Sequence, residues 1–367
     1  MTRFRFFLQR IAAYAVAPAA VLGACTIPAS AAAETVVYVS ANGDDGASGL
    51  SRATALRTPE KALEKSRGMR GDVRLVLSGN FERDRPIVID RSLRGLVLES
   101  DPRRPAVLRA RGSAGSAVIA YADRVQISGL TIVGFRDRGI FVNDARYATI
   151  RNNRVYETRS TAWSQAAIHL TGTTAGAVID SNIVDGADYG GILVDTNTSS
   201  DVSNIAITRN RVSQSCRRVA DCGAIHINDR GRRSTGSRIA YNTVSDFGPR
   251  EAKGRGIYLD DWASHVLVEH NRIEGRGSYA FQIHGGNHNV IRYNKVALGD
   301  FTQPFLYQRH VSQASWPAMS GNAIFDNEYV GARSASLFGD REVPAKARPQ
   351  ARGNRLCHGG QCRSLES

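Results

Sequence analysis

The chain has 367 residues, 42% of them hydrophobic and 22% charged, with a formal net charge of +14. That length allows one large domain or two ordinary ones. No apolar run beyond residue 34 is long enough to cross a bilayer, which excludes a helical membrane span there.

Residues 1–33 read as an export signal. Arg3, Arg5 and Arg10 give a basic start, Ile11 to Ala24 form an apolar stretch, and the small-residue run ASAAA precedes Glu34. Cleavage after Ala31 or Ala33 fits. VLGAC, ending at Cys25, also resembles a bacterial lipoprotein box, and on that reading Cys25 becomes a lipid-anchored N-terminus. Both readings place the protein in the periplasm or outside the cell. Loss of the signal removes three arginines and no acids, leaving +11. An exported protein this basic favours polyanions. Acidic polysaccharide, lipopolysaccharide or membrane headgroups fit export better than nucleic acid does; a generally basic surface without a specific partner is the alternative.

The segment after the signal, YVSANGDDG, reads as a strand and a glycine-rich turn. Asp44 and Asp45 there suit a plain turn or a calcium ligand pair. Thr58 is placed as an N-cap and Pro59 as a first helical residue, which predicts a helix over about 59–67.

Beyond it one phrase recurs: apolar–x–apolar–x–x–Asn–x–Val/Ile, as in ATIRNNRV, AVIDSNIV and VLVEHNRI. Its asparagines are Asn153, Asn182, Asn210, Asn242, Asn271, Asn294, Asn327 and Asn354, spaced 23–33 residues apart. A second phrase falls between them: GIFVN, AIHLT, GILVD, AIHIN, GIYLD and AFQIH. Both have period two and are too short for amphipathic helices. Short strands at that interval imply a coil of parallel strands, with the recurrent Asn at a bend where its amide meets the Asn of the next turn.

This pattern resembles the right-handed parallel β-helix, pectate-lyase-like family, over roughly residues 34–356. The resemblance implies an all-β solenoid of about ten turns, each ~4.8 Å, or ~50 Å in all, as a single domain over 34–362. The segment about 40–70, with its helix, would cap one end. The polar tail, about 331–367, would cap the other. The fold hosts many activities, so function must come from the site.

Stacking the second phrase turn on turn gives outward columns. The first reads Phe141, His169, Leu193, His226, Tyr258, Gln282, and the second Asn143, Thr171, Asp195, Asn228, Asp260, His284. The residue after each strand reads Asp144, Gly172, Thr196, Asp229, Asp261, Gly285. Asp260 should end its strand facing out and Asp261 should start the bend. The next segment, PFLYQRH, fits two registers and offers Tyr307, Gln308, Arg309 or His310. Polar chemistry concentrates on three turns, so Asp260, Asp261, Asp229, His284, Tyr258 and His226 are the catalytic candidates. Asp229 over Asp261 would share a proton. Asp195, Asn228, Gln282, Arg230, Arg255, Trp262, Tyr307 and Arg309 are the substrate-binding candidates. Long loops nearby carry Arg217, Arg218, Arg230, Arg232, Arg233, Arg238, Arg250, Lys253 and Arg255, a basic rim suited to an anionic sugar chain. Trp163, Trp262 and Trp316 suit stacking platforms or structural roles.

CRRVADC and CHGGQC pair Cys216 with Cys222 and Cys357 with Cys362 as local disulfides, with zinc as the alternative.

The order NDR, LDDW, IHGG on successive turns resembles the polygalacturonase pattern of an Asp, an Asp pair and a His-Gly, without that family's intact NTD and GHG motifs. It implies glycoside hydrolysis of an acidic polysaccharide by paired aspartates. Three alternatives stay open. A polysaccharide lyase or C5-epimerase would use Tyr258, His226 or His284 as base, with Arg309 or calcium neutralising a uronate. A non-catalytic polysaccharide-binding or surface-structural coil needs neither. Metal-dependent hydrolysis has permissible ligands in His226, Asp229, Asp260 and His284, but no compact metal motif. No cofactor is firmly implied, and the reading is of a monomer.

Overall fold

The computed structural model describes residues 34–365, apart from positions 70, 161, 249–253, 298, 300–303, 310–318, 332–336, 338–343 and 345–347. The export signal and Cys25 lie outside the described residues, as do Arg250, Lys253, His310 and Trp316.

The chain winds into a coil whose turns each supply three strands. One turn runs Thr149–Arg151 on face A, Arg154–Thr158 on face B and Ile168–Thr171 on face C. Each strand pairs in parallel with its equivalents one turn before and after. Ile150 lies between Ile127 and Ile179, Val155 between Ile132 and Val184, and Leu170 between Val142 and Val194. Like side chains therefore stack on like. The inward positions are apolar, often β-branched and fully buried, and make one continuous core. Face C holds nine strands among the described residues, and all six copies of the second phrase lie on it.

The recurrent asparagines occupy the tight bend between faces A and B. Each buried Asn donates from Nδ2 to Oδ1 of the next, at 2.9–3.0 Å, from Asn153 through to Asn354. That same Oδ1 also accepts the preceding Asn's backbone amide. The bend would otherwise leave amides buried without partners, which accounts for a polar residue in an apolar column. The residue before each ladder Asn takes a left-handed conformation: Asn152, Ser181, Arg209, Tyr241, His270, Tyr293, Asp326 and Gly353. The spacing did not disclose that the bend needs this conformation.

The single helix among the described residues, Pro59–Ser66, buries Ala62 and Leu63 against the core. Thr58 caps it as expected, accepting the Lys61 amide. Asp45 accepts the amides of Arg57 and Thr58 and the Thr58 hydroxyl, so this carboxylate is committed to the cap. Disulfides join Cys216 to Cys222 and Cys357 to Cys362, as the local pairing required, in place of a zinc site. No helix among the described residues is long and apolar enough to cross a membrane.

Candidate active site

The outer side of face C is where the polar columns stand. The register is His226 beside Tyr258 beside Gln282, with Asn228 beside Asp260. Asp260 is the last residue of the strand Gly254–Asp260, and Asp261 and Trp262 turn the chain with positive φ. Neither aspartate enters the core, as alternation demanded. Yet the columns are not open surface. His226, Asn228, Tyr258 and Gln282 are all buried, so this is a covered polar floor.

Asp260 is clamped between two imidazoles. Its Oδ1 lies 2.7 Å from His284 Nδ1 and its Oδ2 lies 3.2 Å from His226 Nε2. The Asp261 amide also donates to Oδ1. Burial pushes this carboxyl up, but the bonds to His226 and His284 and their charges outweigh it and hold it far below the usual carboxylate range. The His226 ring stacks on Tyr258 at 4.4 Å, and the Arg255 guanidinium sits 4.8 Å from the Tyr258 centroid. Burial first, then the negative charges of Asp260 and Asp221, push the Tyr258 phenol far up, so it stays protonated.

Asp261 Oδ2 accepts from Asn228 Nδ2 at 3.0 Å and from Arg230 Nε at 2.8 Å. Burial lowers Arg230, and the Asp261 carboxylate more than offsets this, so the guanidinium is firmly charged. Asp195 ends the strand Ile192–Asp195, half-buried, one column step from Asn228. Its side chain makes no hydrogen bond among the described residues, and its field reaches Arg138 and Arg230.

Several expected positions need correction. Asp229 does not share a proton with Asp261. It is fully buried, and its Oδ2 accepts the Ser234 amide at 2.6 Å inside its own loop. Burial pushes its carboxyl up against that bond, but nothing exposes it to a substrate. Tyr307 faces the core, not the outer columns. In the register that the chain takes, Leu306 follows Gln282 and Gln308 follows His284. The Tyr307 hydroxyl donates to the Met319 carbonyl, and burial pushes its pKa up to about 12. Arg309 follows Gln308, half-buried. Arg255 is not a rim residue. It is buried, pairs with Asp221 at 2.8 Å and donates to Gln282 Oε1. Arg238 lies on face A, paired with Glu269.

One contact line was not legible in the sequence. Tyr189 donates to the Asp221 carbonyl, Asp221 holds Arg255, Arg255 holds Gln282, and Gln282 donates to Gln308. The Cys216–Cys222 bridge packs with Tyr189 and Leu193 beside the His226 column. The disulfide therefore anchors the loop that fixes the floor. Two turns before His226, His169 is buried with Nδ1 accepting from Arg138. Burial, then the charges of Arg138 and His226, hold it well below its ordinary pKa and neutral. Trp163, on the loop before that strand, is 73% exposed. Trp262 is half-buried beneath the Arg232 guanidinium at 4.6 Å.

Asp260, Asp261 and His284 form the one group among the described residues with three metal-ligand atoms mutually within 4.8 Å. Both Asp260 oxygens and Asp261 Oδ2 are already engaged by protein donors. A calcium ion wants about six to eight oxygens, so this donor set suits proton chemistry better than a hard cation.

The family model for the right handed beta helix region matches residues 115–336, and the chain belongs to that family. Among solved structures it is similar to the catalytic domain of a GH87 alpha-1,3-glucanase in complex with tetrasaccharides. That likeness is 12% identical with a TM-score of 0.56, covering 81% of this chain and 67% of the other. It is also similar to an alginate lyase from Paenibacillus sp. str. FPU-7, 12% identical with a TM-score of 0.50, covering 84% of this chain and 98% of that one. At such identities the likeness is one of fold. No curated protein matches the sequence.

Proposed function

We propose that this protein is an exported enzyme that cleaves an acidic polysaccharide, by hydrolysis, in the groove on face C. One observation carries the reading. Asp195 and Asp261 flank Asn228 on the outer side of face C, on turns two steps apart, while Asp260, next to Asp261 in the chain, is locked by two histidines. The strands themselves are about 9.6 Å apart, just beyond the roughly 6.5–9.5 Å by which inverting glycosidases separate their carboxyl groups, a gap that the reach of the side chains closes. One carboxyl would give its proton to the glycosidic oxygen as the bond to the anomeric carbon breaks. The other would take a proton from the water that attacks the opposite face. Asp260 positions His284 and His226 and keeps negative charge next to the developing cation. Arg230 and the basic loops would hold the anionic groups of the chain. The disulfides and the +11 charge expected of the processed chain fit an exported protein acting on such a polymer.

A second reading rests on the same clamp. Asp260 orients the imidazole that it holds, so His284 could take the proton next to a uronate carboxylate that Arg230 neutralises. The glycosidic oxygen would then leave with its electrons, giving an unsaturated sugar. That the glucanase and the alginate lyase share this fold supports keeping both chemistries.

A panel of acidic polysaccharides, with and without EDTA, separates them. New reducing ends without ultraviolet absorbance, lost in Asp261→Asn and Asp195→Asn, support hydrolysis. Absorbance near 235 nm, lost in His284→Gln, supports elimination. Neither signal on a broad panel would overturn the enzymatic reading.

A further inference from the structure

The bend that follows face C carries a second feature, several turns ahead of Asp260. Here four consecutive turns line an open cavity of about 460 Å³. Arg91 and Arg94 come from the bend after Ile87–Ile89, and Tyr121 and Asp123 from the bend after Ser116–Ala120. Asp144 and Arg146 follow Arg138–Asn143, and Thr173 follows Ile168–Thr171. The volume is that of a small-molecule site.

Three arginines meet here, and none of them is in an ion pair among the described residues. Arg111, Arg151 and Arg154 elsewhere on the coil are likewise outside any ion pair among the described residues, so what marks this place is that three such guanidinium groups line one cavity. The two acids of the cavity are committed to its frame. Asp123 Oδ1 accepts the Arg146 amide at 2.8 Å, and Asp144 Oδ1 accepts the Thr173 amide at 2.9 Å. Each keeps its second oxygen for a hydroxyl. Tyr121 adds a half-exposed ring. Unpaired guanidinium groups, hydroxyl acceptors and a ring face together suit a sugar that bears an anion.

The cavity is connected to the candidate active site by charge. The Asp201 carboxyl is pushed up by burial and held low overall by Ser203 bonds and by the fields of Arg146 and Arg233. Arg233 belongs to the loop that also carries Arg230, the partner of Asp261. Four strand steps separate the strand before Arg146 from the Asp260 strand, and six separate the strand before Arg91 and Arg94 from it, roughly 19 and 29 Å along the coil. A saccharide of about six units lying extended along the bend would reach both.

We propose that the cavity lined by Arg91, Arg94 and Arg146 is a distal subsite for a carboxylated or sulfated sugar unit. The occupant's class rests on the acidic-polysaccharide reading; the cavity's affinity for anionic saccharide does not depend on which bond is cut.

The test measures binding in an Asp261→Asn background by calorimetry, so that turnover cannot interfere. Probes are a uronate hexasaccharide, a sulfated hexasaccharide, a neutral hexasaccharide and inorganic phosphate. Arg91→Ala/Arg94→Ala/Arg146→Ala is compared with Arg111→Ala/Arg151→Ala/Arg154→Ala, which removes equal charge from exposed positions elsewhere. Circular dichroism and thermal melting verify both folds. Expected is an affinity loss of about tenfold or more for one or both anionic hexasaccharides in the cavity variant alone. Which of the two it is identifies the anion. Equal loss in both triple variants, or loss in neither, overturns the subsite. So does loss confined to phosphate, which would mark a free-anion site. Failure of the catalytic reading looks different: no polymer is cut, whatever the cavity binds.

Discussion

His284 Nδ1 stands 2.7 Å from Asp260 Oδ1, across one step of face C, while His226 Nε2 holds the other oxygen of the same carboxylate. An ionised aspartate orients two imidazoles and fixes which nitrogen carries the proton. Asp260→Asn keeps the shape and removes the charge. The expected outcome is a kcat about 10²–10⁴-fold lower, with KM little changed, read on whichever polysaccharide the wild type cuts. A change in KM alone would make Asp260 a binding residue instead.

Acid should destabilise the protein through His169. Its ordinary value is 6.5, and burial holds it well below that in the folded state. Above pH 6.5 both states are neutral and nothing is lost. Below it the unfolded chain takes a proton that the folded chain refuses, so stability falls as pH falls, by up to about 1.4 kcal/mol per pH unit. His169→Gln keeps an acceptor for Arg138 and does not titrate. Denaturant melts between pH 7 and 5 should show a shallower slope for it. Asp260 adds a separate loss that begins only below about pH 4.

Asn242→Ala should cut the ladder at mid-coil. It removes the bonds to Ile207, Asn210 and Asn271 and leaves the buried Asn210 backbone amide without its acceptor. A loss of about 2–5 kcal/mol is expected, seen as a fall in melting temperature. An unchanged melt would mean that the amide column contributes nothing net.

Cys216→Ser/Cys222→Ser should lower stability by about 2 kcal/mol, the scale for a short closed loop. It should also lower activity, because Asp221 in that loop holds Arg255 on the floor. The equivalent change at Cys357 and Cys362 should spare activity. Equal effects from the two pairs would refute the link between the first disulfide and the site.

The coil was legible because its rule is local and repeated. Asn153 through Asn354 mark the same bend eight times, and the period-two strands between them leave one parallel arrangement. The outward columns followed from that alternation, so Asp260 beside His284 was within reach of the sequence. What alternation does not encode is the path of the loops. Asp229 was placed over Asp261 because nothing in its neighbours says that it turns back onto the Ser234 amide. Arg255 read as rim because its partner, Asp221, comes from the loop one turn earlier, which the Cys216–Cys222 bridge closes. Tyr307 failed for another reason: Leu306 and Tyr307 are both acceptable core residues, so either register satisfied the pattern.

A parallel coil contains no internal reason to stop, because every finished turn offers its edge as the template for another. Among the described residues one pairing breaks the rule: Arg355–His358 with Gln361–Ser364, antiparallel and crossed by Cys357–Cys362. This hairpin lays the chain's own last strand along the face B edge that a further turn, or a second molecule, would otherwise occupy.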